Sequence, residues 1–313
     1  MTTIDRLDGW KAVGIITQAQ HATLSAIVRR ERLSLFVELH AILYIGVISI
    51  VAGLGWTFRD YVTSLGDVAI LSILGLLMAV SFGYCFVRGP AYSNGEVDSP
   101  SFAFDYILYF ACLVLAAALA FIETRFAIFH KWDQHLLIAS VVYGVLAYRF
   151  DNRFVLSLAL STLAGYLGLT IEPFDTLNSE RLRIAGFLYG AFLIGIGILL
   201  HQRRIKAHFF DVYLQLGANA ILLAAISGVF DDDGSWVYLG ALMILSAAAI
   251  YLGIRFRRFA FVAYGTLYGY AGFSVRVLDD IGGVITALVY FVVTGSLVVL
   301  ALVLLARRIG RDE

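Results

Sequence analysis

Asp211, Gln215 and Asn219 recur at i, i+4 and i+8, a spacing that puts one carboxylate and two carboxamides on a single helical face. A carboxylate followed by two amides could hold a cation or a proton and pass it inward along hydrogen-bonding groups. The stretch that carries them, FFDVYLQLGANAILLAAISGVF from Phe209 to Phe230, is otherwise apolar and long enough to cross a bilayer. Its polar stripe should therefore face other helices or water, not lipid. Asp211 lies in the first turn, where the helix dipole favours a carboxylate, and Lys206 or Arg204 is close enough in sequence to pair with it. Asn219 would sit about 12 Å deeper, at ~1.5 Å per residue, near the bilayer midplane. Gln215 and Asn219 keep two readings, the lining of a solute path or hydrogen-bond glue between helices.

A second polar face lies in 259–275, where Thr266, Tyr270 and Ser274 share one side and Tyr264 and Tyr268 another. Arg276 closes its outer end beside Asp279 and Asp280. Such a face either lines a path or packs with satisfied hydroxyls. Gly265-x-x-x-Gly269 and Gly186-x-x-x-Gly190 favour packing, because small residues four apart let helices approach closely. Glu38 and His40 read as interfacial polar residues. His130, Asp133 and His135 are metal-ligand types in no recognised spacing, and Asp231-Asp232-Asp233 lacks the alternating ligands and glutamate of a calcium loop. Cys85 and Cys112 each lie inside an apolar run and read as packing residues. No metal or cofactor is expected. Walker A, G-x-S-x-G and H-E-x-x-H patterns are missing, so the chain is not expected to be an enzyme.

The elements that must position these residues follow from composition. Hydrophobic residues make up 60% of the 313 and charged residues 15%, against about 25% charged in a soluble domain. The expected fold class is an all-α integral membrane protein. Ten apolar runs, 37–58, 68–87, 104–122, 135–148, 154–171, 184–200, 209–230, 236–254, 259–275 and 281–306, read as ten transmembrane helices. Before them, residues 1–35 read as an amphipathic helical head with no signal peptide. Thr17-Gln18-Ala19-Gln20 has capping-box form. Arg29, Arg30 and Arg32 would lie among anionic headgroups or serve only as an orientation signal; the interleaved acids argue against nucleic acid. With the N-terminus inside, 17 of the 23 Lys and Arg fall on the inner side, which predicts a multi-pass protein of a bacterial inner membrane with both termini cytoplasmic.

The chain also resembles itself. Ser161–Gly168 (STLAGYLG) matches Gly265–Gly272 (GTLYGYAG) at a shift of 104 residues, as do Arg203-Arg204-Ile205 with Arg307-Arg308-Ile309 and Trp132 with Trp236. A shift of 106 puts Phe104-Asp105 on Phe210-Asp211. This predicts a 2+4+4 organisation: a leading pair in 36–103, then tandem parallel four-helix repeats in 104–206 and 207–313. Asp105 becomes the counterpart of Asp211, while Gln215 and Asn219 meet Tyr109 and Leu113.

Leu7-x-x-Trp10-x-x-x-Gly14-x-Ile16-Thr17-x-x-Gln20, followed by Gly46, Gly53, Gly55 and Trp56, resembles the domain-of-unknown-function 2157 family of predicted bacterial inner-membrane proteins, best over residues 7–58. The resemblance implies a polytopic protein with a short cytoplasmic head and a periplasm-facing partner protein, and it supplies no catalytic residues. Two functions are then expected. The first is a transporter or channel for a small solute or cation, its path running by Asp211, Gln215, Asn219, Asp105, Thr266 and Tyr270. The second is a non-transporting scaffold or sensor that docks an envelope partner.

Overall fold

The computed structural model describes residues 3–18, 66–128, 133–171, 180–231, 235–280 and 283–309, together with Gln20, His21, Ser25, Leu43, 45–50 and 52–53. Among the described residues all regular structure is helical. Helix α1 is Thr3–Ala12. Among the described residues nine longer helices follow: α2 Asp67–Arg88, α3 Phe102–Phe126, α4 Gln134–Phe150, α5 Arg153–Ile171, α6 Glu180–Gln202, α7 Phe210–Val229, α8 Ser235–Arg255, α9 Phe259–Asp280 and α10 Val284–Ile309.

Among the described residues seven of these, all but α4 and α9, are long and apolar enough to cross a membrane by length and composition. The two exceptions have local reasons. With 17 residues, α4 spans about 26 Å at ~1.5 Å per residue, at the lower limit of the roughly 17–25 residues of crossing helices. Helix α9 has 22 residues, but Tyr264, Tyr268, Tyr270, Thr266 and three glycines dilute its apolar character. The run 37–58 falls largely outside the described residues, as do Arg29, Arg30, Arg32, Glu38, His40, His130, Trp132, Asp232 and Asp233.

In the head, the capping box forms as its sequence predicts. Thr17 N donates to Gln20 Oε1 at 2.8 Å and Gln20 N to Thr17 Oγ1 at 3.2 Å. His21 Nε2 meets Asp8 Oδ1 at 2.7 Å, tying this turn back to α1.

Sequential helices pair closely: α2 with α3, α4 with α5, α6 with α7, and α8 with α9. Three of the turns between them end in the same way. Asp151, Arg204 and Arg257 take left-handed backbone at φ 58°, 56° and 55°. After each, an N–H reaches back five residues: Asn152 N to Ala147 O, Ile205 N to Leu200 O, and Arg258 N to Gly253 O. This Schellman pattern satisfies carbonyls that the helix end leaves open.

The core is densest in the first half, where Phe104, Leu108, Cys112, Tyr143, Phe150, Val155 and Leu156 are buried together. Cys85 and Cys112 are free and buried, as packing residues should be. Both small-xxx-small patterns lie at helix crossings. A Cβ on Gly190 would stand 2.6 Å from the Gly217 carbonyl oxygen, and one on Gly265 would stand 2.5 Å from that of Ser246. Backbone can approach backbone here only because no side chain intervenes.

Candidate functional site

The turns α4–α5, α6–α7 and α8–α9 share one face of the bundle with the connector 89–101 between α2 and α3, and there the charged side chains converge. Asp151, in its left-handed turn, has a side chain only 2% exposed, and the Lys206 side chain is 1% exposed. Lys206 Nζ lies 3.1 Å from Asp151 Oδ1, and His208 Nε2 lies 2.5 Å from the same oxygen. Asp151 Oδ2 accepts from Val97 N at 2.6 Å. Lys206 completes the connection to 89–101. Its N–H donates to Asn94 O at 2.9 Å, its Nζ donates to Gly95 O at 3.3 Å, and the ammonium stands 5.4 Å over the Tyr92 ring. A second cluster flanks this one. Asp105 Oδ1 accepts from Asn152 Nδ2 and Ser99 Oγ, both at 2.8 Å, while Asn152 Oδ1 caps α5 through Phe154 N and Val155 N. Arg149 donates to Pro90 O and Arg153 pairs with Glu96, each at 2.6 Å. The connector is thus fixed at six residues, Pro90, Tyr92, Asn94, Gly95, Glu96 and Val97, by the α4–α5 and α6–α7 turns.

The residues picked out by sequence divide. Asp211 pairs with Arg258 of the α8–α9 turn, not with Lys206 or Arg204. Lys206 turns away to Asp151, which leaves the aspartate to the arginine that rests over the Phe210 ring. Asn219 Nδ2 donates to Gln215 O of its own helix at 2.9 Å, and its Oδ1 accepts from Tyr268 of α9 at 3.3 Å. Gln215 is half-buried beside it. Tyr270 OH bonds Thr294 Oγ1 at 2.8 Å and Ser274 Oγ bonds Tyr290 OH at 3.1 Å, both across to α10. Thr266 is half-buried on α9. So the hydroxyls of α9 serve two interfaces, and Tyr270 is not gathered with Asn219.

The opposite face also carries ion pairs. Arg183, 6% exposed, pairs with Asp231 at 2.6 Å and lies over Tyr238. Thr170 Oγ1 donates to Asp133 Oδ2 at 2.5 Å, and Arg125 pairs with Asp67 at 2.8 Å. Among the described residues no three His, Cys, Asp or Glu side chains gather as a metal site would require.

Sequence reading missed Asp151 and His208, and gave Lys206 to Asp211 in place of Asp151. They sit in short turns, where charged residues are ordinarily solvated, and nothing in their spacing joins positions so far apart in the chain. The two acid–base pairs should respond differently. Asp211 and Arg258 side chains are 46% and 36% exposed, so Arg258→Gln should cost only about 0.2–1 kcal/mol. Thermal unfolding in detergent would show this as a small Tm shift that shrinks further with added salt.

Residues 8–156 match the family described as predicted membrane protein (DUF2157). The match runs from the head through α4 to the start of α5, well past the 7–58 of the sequence resemblance. No curated protein and no solved structure matches the chain. The family match and the seven apolar helices together make this a membrane protein with several apolar helices of membrane-crossing length.

Proposed function

We propose that the protein is a non-enzymatic, non-transporting scaffold or sensor of the bacterial inner membrane, in which polar side chains clamp helices rather than line a conduit. Asn219 carries this reading. It is the deepest member of the α7 stripe, and its two polar ends are taken by Gln215 O and Tyr268. A group whose hydrogen bonds are met by its own helix and a neighbour acts as interhelical glue. The face holding Asp151 is the cytoplasmic one. Among the described residues from α2 to α9 it bears Arg88, Arg149, Arg153, Arg203, Arg204, Lys206, Arg255, Arg257 and Arg258, against Arg125, Arg181, Arg183 and Arg276 opposite, where Lys131 adds one more in sequence. Run 37–58 with α2–α10 then gives ten crossings and two cytoplasmic termini. The head of residues 1–35 recruits on that side, and the acidic turn at Asp231 docks a periplasm-facing partner.

The same reading includes the duplication of α3–α6 as α7–α10, in a register of 106 residues. Asp105 and its partner Asn152 fall on Asp211 and its partner Arg258. The left-handed Asp151 falls on the left-handed Arg257, and buried Ser140 falls on buried Ser246. At the 104-residue shift of the Thr-Leu-x-Gly-Tyr-x-Gly match, these contacts do not superpose.

Single cysteines at positions 211, 215 and 219, with Cys85 and Cys112 replaced by alanine, test the scaffold reading. In inside-out vesicles a membrane-impermeant thiol reagent should label position 211 and leave 215 and 219 protected. Labelling at 219 would mean that water reaches the midplane. It would replace the scaffold with a transporter in which Asp211 binds the coupling ion.

A further inference from the structure

A cavity of about 590 Å³ lies between α6, α7, α8 and the α8–α9 turn, walled by apolar side chains with Arg258 as the single charged one. Its counterpart in the first half is solid core. Counting back 106 residues, Phe210, Leu214 and Phe261 of the cavity wall become Phe104, Leu108 and Val155, all 0% exposed. Leu252 is 46% exposed and Phe256 62%, whereas Leu146 and Phe150 are 6% and 2% exposed. The same positions that close a core in one half stand open in the other.

Two differences cause this. Ala249 of the wall corresponds to Tyr143, whose ring fills the equivalent space and whose hydroxyl donates to Cys112 O at 2.6 Å. In addition, the first-half corner is covered by the end of α2 and its connector. Phe86 stacks edge-on against Phe150 at 5.2 Å, and Gly89 packs on the same ring. The corresponding connector after α6, residues 203–209, is shorter than 89–101, and Lys206 within it turns toward Asp151. Phe256 is left 62% exposed.

The rim of the open corner is basic. Arg255 and Arg257 are exposed and Arg258 is partly exposed, with Asp211 as the acid paired among them. The cavity thus offers an apolar slot leading from a cationic edge at the membrane surface. That combination complements one molecule of the surrounding medium, an anionic phospholipid with its phosphate at the arginines and one acyl chain in the slot. We propose that this groove is a site for an anionic phospholipid, which takes the place that Tyr143 and the α2 end occupy in the first half. The site does not depend on whether the protein is a scaffold or a transporter.

The test uses the full chain reconstituted in phosphatidylcholine vesicles with spin-labelled phosphatidylglycerol or spin-labelled phosphatidylcholine as probe. Wild type should immobilise the glycerol lipid in preference. Arg255→Gln with Arg258→Gln should abolish the preference, at about fivefold per arginine, the ratio equivalent to ~1 kcal/mol of attraction to an anionic lipid. Ala249→Tyr copies the residue of the filled half and is chosen to fold. It should remove the tightly held lipid, while Arg153→Gln, at the covered corner, should leave the preference as in wild type. Equal association of both probes with wild type would overturn the proposal. So would a preference that survives Ala249→Tyr, because the lipid would then be held by surface charge without the slot.

Discussion

Asp151→Asn should lower the stability of the protein by about 3–5 kcal/mol, the cost of leaving one member of a buried ion pair without its partner. Asparagine tolerates left-handed backbone, so φ 58° at this position is not what the substitution disturbs. Its amide oxygen can still accept from Val97 N. What disappears is the negative charge facing Lys206, whose side chain is 1% exposed and would keep only the Gly95 carbonyl at 3.3 Å and the Tyr92 ring. His208 loses the same carboxylate. Unfolding can be followed with a thiol-reactive dye, since Cys85 and Cys112 are buried until the bundle opens. Lys206→Asn, also at a left-handed position, should cost a similar amount. The double variant should cost well under the sum of the two, because removing both charges leaves neither one buried alone. Limited proteolysis adds a local readout: cleavage within 89–101 should speed up in both single variants and stay slow in Arg258→Gln. A Tm for Asp151→Asn within a degree of wild type would show that the cluster is not closed to water as its geometry indicates.

How much of this was legible in the sequence depended on whether the signal was local. The helices could be read because apolar runs of bilayer length leave few alternatives. Thr17 and Gln20 could be read because a capping box lies within four residues. The close approach at Gly190 and Gly265 could be read because small residues four apart mark one helical face. The partner of Asp211 could not. Lys206 is five residues away and was the natural choice, but a left-handed turn aims it at Asp151, and Arg258 arrives from a turn 47 positions later. The proposed repeat shows the same limit. The longest verbal match, Thr-Leu-x-Gly-Tyr-x-Gly, lies at 104 residues, whereas the shared turn geometry of Asp151 and Arg257 lies at 106. In apolar helices a small alphabet produces likeness at several shifts, and only contacts distinguish them. The lipid groove was invisible for a related reason. An alanine at 249 in an apolar run means little until Tyr143 is seen filling the corresponding space.

Gly190→Val and Gly195→Val should behave as opposites although they lie on one helix in similar sequence. At Gly190 a Cβ would fall 2.6 Å from both the Gly217 carbonyl oxygen and Ile221 Cγ1. The oxygen belongs to the α7 backbone and cannot rotate away, so α6 and α7 must separate. Overpacking of this kind costs about 1–3 kcal/mol and sometimes more, and here it acts on the most extensive helix pairing in the described structure. At Gly195 nothing lies within 4 Å of the added carbon, so valine there should leave the Tm near that of wild type. Separation of α6 from α7 would also displace Phe210 and Ile194, which wall the cavity from the two helices. Gly190→Val should therefore lose the phosphatidylglycerol preference along with stability, and Gly195→Val should lose neither. Equal Tm values for the two variants would mean that the α6–α7 crossing is looser than this close approach requires. If Gly190→Val were destabilised yet kept its lipid preference, the groove would not depend on that crossing. Loss of both in Gly190→Val alone would tie the α6–α7 pair to the groove beside it.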